Sequence, residues 1–197
     1  QGYARFVDTS TLEVNDQHYS APHIVIATGG QPIVPDLPGA NLGITSDGFF
    51  ELSRQPGKVA IIGGGYIGVE LAGHVRAFGS SVTLIAMEDR ILERFDDMVS
   101  DVLVSEMRKQ GIVVETAFEV KELQRHDGGT VVVGADGGTL AGFDTVIWAV
   151  GRRANSASLN LEATGLAAER GGIIAVDAYE NTAVPGIYAI GDVNGKT

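Results

Sequence analysis

The 197 residues contain no cysteine. That excludes disulfides, thiolate metal sites and cysteine-based redox chemistry within this segment. Long apolar stretches are missing too. The runs at residues 24–27 and 59–62 have the length of buried strands, far below the ~18 residues of a membrane span. Positive charge is scarce: 14 Lys and Arg against 25 Asp and Glu leave a net charge of −11. Such a chain repels phosphate backbones, which argues against a nucleic-acid partner. No N-terminal stretch reads as a signal peptide, so the expectation is a cytoplasmic protein with no membrane partner. No metal-ligand cluster stands out. Glycine, in contrast, is abundant at 27 residues. The glycines cluster without a fixed period, which excludes collagen and points to tight turns.

The chain opens as an antiparallel meander over residues 3–8, 11–14 and 17–20, with Asn15-Asp16 as a hairpin turn. Residues 24–27 read as a buried central strand ending at Thr28-Gly29-Gly30. Residues 31–45, with Pro32, Pro35 and Pro38, read as an irregular connector. A βαβ pattern follows. Strand 58–62 leads to a helix marked by Ile67, Leu71, Val75 and Phe78 and closed by Gly79. Strand 81–86 leads to a helix over 96–110, with Met98, Val102 and Met107 on its apolar side and Gly111 as its stop. A strand at 112–115, antiparallel hairpins over 117–141, and buried strands at 143–150 and 186–190 complete the reading.

The strongest signal is Gly63-Gly64-Gly65-Tyr66-Ile67-Gly68, a GxGxxG pattern. It follows a strand directly and opens a helix, the context that turns the pattern into a mechanism. Gly63 permits the tight turn, Gly65 lets a pyrophosphate approach the backbone, and Gly68 lets the helix pack closely on the strand. The diphosphate of a dinucleotide then lies against free N–H groups at the helix's positive end. The plain alternative is a glycine-rich turn that binds nothing.

The ribose 2′ position is normally read at the end of the second strand. Here that segment is Ala86-Met87-Glu88-Asp89-Arg90. Its first charged residue is Glu88, whose carboxylate accepts hydrogen bonds from a ribose diol and repels a 2′-phosphate. One such pair at ~4 Å costs about 1 kcal/mol under full water screening and about 4 at an effective dielectric of 20. The expectation is NADH over NADPH. The alternative is that Glu88 is a solvated loop acid and Arg90 or Arg94 folds onto the phosphate.

Taken as an ordered set, Ala27–Gly30, Gly63–Gly68 with Val69-Glu70-Leu71-Ala72, Ala149-Val150-Gly151-Arg152, and Thr182 through Tyr188-Ala189-Ile190-Gly191-Asp192 resemble the FAD-dependent pyridine nucleotide–disulfide oxidoreductases. Residues 45–50, 94–96 and 147–152 are similar to glutathione reductases, and residues 86–90 to the NADH-preferring glutathione amide reductases. Met87 and Glu93 stand where NADPH-using members show arginine.

The resemblance implies an α/β, Rossmann-like NAD(P)H-binding domain with an antiparallel meander at residues 30–153. It implies the end of one FAD-domain segment at 1–29 and the start of another at 154–197. On the nicotinamide side it implies Gly63, Gly65, Tyr66, Ile67, Gly68, Glu70, Met87, Glu88, Arg90, Gly151 and Arg152, with Tyr66 over the nicotinamide pocket and Glu70 at its nicotinamide end. On the FAD side it implies Ala4, Thr28, Gly29 and Asp192. Arg153 and Ala154 depart from the family's Gly-Arg-x-Pro-Asn pattern, while Asn155 is kept. The implied chemistry passes hydride from NAD(P)H to FAD and on through a cysteine pair to a glutathione-type disulfide. The cysteines, the first FAD fingerprint and the homodimer-forming region are absent from these residues. An internal, catalytically inactive fragment of a longer reductase is therefore expected. Dihydrolipoamide dehydrogenase and mercuric reductase types, a stand-alone dinucleotide-binding module and an inert domain stay open as alternatives.

Overall fold

The computed structural model describes residues 2–196. It divides into two compact units: Pro32–Gly151, and Gln1–Gln31 with Arg152–Thr197. The terminal residues Gln1 and Thr197 of the expected segments lie outside the described residues.

In chain order the first strands are β1 (Ala4–Phe6), β2 (Thr11–Val14), β3 (Gln17–Ser20), β4 (Ile24–Ile26) and β5 (Gly30–Pro32). Next come β6 (Ile44–Thr45), α1 (Ser46–Phe50), β7 (Lys58–Ile62), α2 (Tyr66–Ala77), β8 (Ser81–Ile85), α3 (Asp97–Lys109) and β9 (Val113–Glu115). The hairpin strands β10 (Val120–His126), β11 (Gly129–Gly134) and β12 (Thr139–Phe143) precede β13 (Thr145–Trp148), β14 (Arg152–Ala154) and β15 (Ile187–Ala189). Among the described residues, three short 3-10 turns lie between these elements and a fourth follows β15. No helix among the described residues is long and apolar enough to cross a membrane.

The unit Pro32–Gly151 is built on a five-stranded sheet of order β6-β13-β7-β8-β9. Its strand pairs are all parallel. Parallel sheets are covered on both faces, so their strands read as continuous apolar runs. Val59 and Ile61 of β7 face a core shared with Leu71, Val75 and Met107 of the two long helices. Ala60 and Ile62 face the other side, against Leu123, Val132 and Phe143 of the β10-β11-β12 antiparallel sheet. Trp148 is 1% exposed at the end of β13, and its indole N–H donates to the Ala40 carbonyl at 2.9 Å. Burial of such a side chain contributes roughly 1.5–3 kcal/mol, and the donor is not left unpaired.

Four expectations are corrected in this unit. The connector 31–45 is not wholly irregular, because Ile44-Thr45 adds an edge strand to the main sheet. The run 143–150 is not one strand: Phe143 ends β12, the chain turns at Asp144, and β13 begins at Thr145. Phe78 is exposed, as the C-cap of α2 just before Gly79 at φ +101. In α3 only Met107 of the three expected core residues is buried, whereas Met98 and Val102 are exposed. Ser100, with Leu103, Val104 and Met107, turns inward instead. The buried Ser100 hydroxyl donates to the Ile91 carbonyl at 2.7 Å, which fixes that face toward the sheet.

The second unit holds the β1-β2-β3 meander and a parallel pair of β4 with β15. Asn15 (φ 51) and Asp16 (φ 61) form the β2–β3 turn in the left-handed region, as a two-residue hairpin requires. Its core joins Phe6, Ile24, Ile26, Leu159, Ile174, Ile187 and Val193. The expected buried central strand is corrected at Val25, which is 56% exposed. A two-stranded sheet packed on one face leaves alternate side chains outside. Near the chain's end, the Asn181 side-chain amide, then the Asn181 and Tyr179 backbone N–H groups, hold the Asp177 carboxyl below the usual carboxylate range.

Candidate dinucleotide site

The glycine turn sits at the C-terminal end of β7, the sheet's middle strand. On one side the chain crosses through α2 to β8; on the other lies β13, which enters from later in the sequence. Ligands bind at this switch point of doubly wound sheets, outside the carboxyl ends of the strands.

Three glycines do three different things there. Gly63 has φ +127, and a Cβ on it would stand 2.2 Å from the Ala149 carbonyl oxygen beyond β13. Gly68 lies in the first turn of α2, where a Cβ would meet the Gly63 carbonyl oxygen at 2.0 Å. These two residues let helix, turn and neighbouring strand close on one another. Gly65 is the opposite case: a Cβ there would find nothing within 4 Å, and its φ of −75 is ordinary. Its missing side chain leaves open space over the backbone at the start of the helix.

That helix start has polar groups to offer. Gly65 is the N-cap of the 12-residue α2, and no side chain caps it; no acid lies in the first turn. The first intrahelical bond near this end is Val69 N–H to the Gly65 carbonyl at 3.0 Å. The N–H groups of Tyr66, Ile67 and Gly68 precede it and have no carbonyl one turn back. At α3, in contrast, Asp96 caps the helix, its carboxylate accepting from Met98 N–H at 2.9 Å. An uncapped, acid-free helix start facing open space suits an anionic ligand in its partial positive charge.

Tyr66 and Glu70 lie one turn apart on α2 and are both exposed, while Ile67 is half-buried against the core. After β8, Ala86 is fully buried, Met87 is exposed and Glu88 half-buried. The loop is pinned by backbone bonds: Ala117 N–H to the Glu88 carbonyl at 2.8 Å, Phe118 N–H to the Ala86 carbonyl at 3.0 Å, and Leu92 N–H to the Gly64 carbonyl at 2.7 Å. Arg90 forms an ion pair with Asp97. Gly151 follows β13 at φ +131, its carbonyl accepting from Ile33 N–H at 3.0 Å. The residues expected around a dinucleotide therefore lie after the carboxyl ends of β7, β8 and β13. Arg152 belongs to the other unit, where its guanidinium donates to the Gly30 carbonyl at 2.5 Å.

In that unit, β4 and β15 run parallel with Ile26 opposite Ala189. The Thr28-Gly29 turn and the Gly191-Asp192 turn therefore leave the pair at the same end. Asn155 N–H donates to the Gly29 carbonyl at 2.8 Å and holds the first turn. Ala4 is placed on β1, paired with Val14 in the meander. The sequence gives no separate role to Gly64, whose Cβ would stand 2.8 Å from that of Ala86, to Ala149 or to Asp97. Each owes its place to a contact between separate elements, with no local pattern to mark it.

A parallel sheet with a glycine turn at its switch point defines the Rossmann-type class of nucleotide-binding fold. The family model for pyridine nucleotide-disulphide oxidoreductases matches residues 1–197, and the chain belongs to that family. A glutathione reductase from Yarrowia lipolytica is 43% identical over 187 residues, covering 92% of this chain and 39% of the relative. One from Schizosaccharomyces pombe is 40% identical over 203 residues, covering 99% and 44%. Among solved structures, the HOCl-induced flavoprotein disulfide reductase RclA from Escherichia coli superposes with a TM-score of 0.94 at 33% identity, over 100% of this chain and 46% of that one. The chain thus spans less than half the length of these relatives.

Proposed function

We propose that this chain is the nicotinamide-dinucleotide-binding part of a flavoprotein disulfide reductase, and that its coenzyme is NADH in preference to NADPH. The observation that carries the reading is the division of labour among the glycines. Gly63 and Gly68 are filled by neighbouring backbone, whereas Gly65 opens onto space beside an uncapped helix start. That is a cradle a side chain would fill, and it fits a diphosphate.

In this reading the coenzyme-binding segment is 30–153, and segments 1–29 and 154–197 belong to the FAD-binding part. When bound, reduced nicotinamide is a hydride donor and the flavin an acceptor that hands electrons to a disulfide. The chain's own residues bind and orient. The N–H groups of residues 66–68 hold the diphosphate, and Glu88 accepts from the ribose diol. Tyr66 and Glu70 lie at the nicotinamide end, with Gly151 along its edge. Asp192 and the Thr28-Gly29 turn hold the FAD side, with Ala4 assigned there on the resemblance alone. The glutathione reductase relatives support a glutathione-type disulfide as the parent's substrate. The parent is read as a homodimer formed through a region outside these residues.

The 197 residues hold no cysteine, so binding and turnover should separate. The chain alone, supplied with FAD and NADH, should give no reduction of glutathione disulfide above a protein-free blank. NADH should nevertheless raise its melting temperature, by about 2.7 kcal/mol of stabilisation at a hundredfold excess over Kd. Measurable turnover contradicts the fragment reading, and an unmoved melt contradicts the binding reading.

A further inference from the structure

Arg90 is the one cation of the segment Met87-Glu88-Asp89-Arg90 that follows β8. Its guanidinium is ion-paired with Asp97, the first residue of α3. The arginine side chain is 35% exposed and the aspartate 79%, so a half-buried cation is tethered by an outer carboxylate. Asp97 has a reason of its own to be there, because a helix's first turn favours negative charge. An exposed pair of this kind adds little to stability. Its consequence is positional: a planar guanidinium ion-paired with one carboxylate has that much less of its fork to offer a phosphate.

Arg90 also lines an open groove of about 760 Å³ beside α3. The cation nearest in sequence to Glu88 is therefore held in place by a carboxylate one loop away.

We propose that Asp97 is a positioning residue that sets the coenzyme preference, by holding Arg90 in the ion pair and leaving Glu88 to meet the ribose 2′ position. The inference rests on the dinucleotide reading above. Removing the Asp97 carboxylate acts twice in the same direction: it frees the guanidinium, and it deletes a negative charge beside the loop. Both changes favour a 2′-phosphate, which carries about −1.5 to −2 charges at neutral pH. Neither adds a partner for a 2′-hydroxyl.

The test is calorimetric titration of NADH and NADPH into the whole chain and its variants. Asp97→Asn should tighten NADPH binding by at least about tenfold, the scale of one charge-assisted hydrogen bond. NADH affinity should stay within about twofold. Asp97→Glu, which can rebuild the pair, should keep the parent ratio, and Arg90→Gln added to Asp97→Asn should abolish the gain. Asp97→Ser is read by the same criteria if the Asn variant does not fold. An unchanged NADPH-to-NADH ratio in a variant that still binds NADH overturns this inference alone, as does equal weakening of both coenzymes. Failure of the unsubstituted chain to bind NADH overturns the dinucleotide reading, and this inference with it.

Discussion

Gly65→Val should leave the chain folded and strip it of NADH affinity, whereas Gly63→Ala and Gly68→Ala should unfold it at lower temperature. A Cβ on Gly63 or Gly68 meets a carbonyl oxygen at 2.2 or 2.0 Å. Backbone must move to relieve either contact, and at Gly63 the φ of +127 adds conformational strain. The cost should be on the order of 3 kcal/mol or more for each. In a chain this size that lowers Tm by roughly 6–12 °C. A Cβ on Gly65 would find nothing within 4 Å, and its conformation is extended. The penalty of Gly65→Val is then about 1 kcal/mol, for a poorer helix N-cap. Its effect falls on the ligand. Displacing a diphosphate from even one or two N–H groups forfeits about 1.5–3 kcal/mol per charge-assisted bond, a tenfold to hundredfold loss or more in affinity. Thermal melts and titration calorimetry on the three variants read both quantities. Equal destabilisation by all three, or unchanged NADH binding in Gly65→Val, contradicts the assignment.

NADH should bind at least about fivefold more tightly than NADPH, and Met87→Arg with Glu88→Arg should reverse the order. Glu88 lies half-buried on a loop held by three backbone hydrogen bonds, so its carboxylate cannot retreat far with the backbone. Facing a 2′-phosphate at ~4 Å, it costs between about 1 and 4 kcal/mol depending on screening. Two guanidiniums in place of Met87 and Glu88 remove that repulsion and add the planar fork that matches phosphate. Met87 is exposed, so its replacement displaces no core. Titration of both coenzymes into the chain and the double variant reads the preference. A parent chain that prefers NADPH assigns the 2′ reading to Arg90 or Arg94. A double variant with unchanged preference puts the 2′ pocket elsewhere.

Much of the fold was legible because burial on both faces leaves a simple mark. Residues 59–62 read as a strand since every one of them is buried, and the glycine turn reads as a motif because each glycine meets a separate steric demand. The sidedness of α3 was not legible. Met98 and Val102 make one apolar stripe and Leu103, Val104 and Met107 another, and spacing alone does not choose between them. The choice was made by the packing of Ser100 and Met107 against the sheet, with the Ser100 hydroxyl donating to the Ile91 carbonyl. β6 was missed because two residues carry no periodicity; it is a strand only because β13 offers an edge. For the site, the segments after β7 and β8 could be located from sequence, since motif and spacing fix them. The Arg90–Asp97 pair and the approach of Ala149 to Gly63 could not, since helix α3 and strand β13 must be in place before either exists.

An anion should rest on the backbone at the start of α2, over the space that Gly65 leaves open. A crystal structure of the chain grown with NADH tests it most directly. Density for the diphosphate is expected within hydrogen-bonding distance of the N–H groups of residues 66–68, with the ribose diol at Glu88. A dinucleotide bound elsewhere on the chain, with that helix start left to solvent, would contradict it.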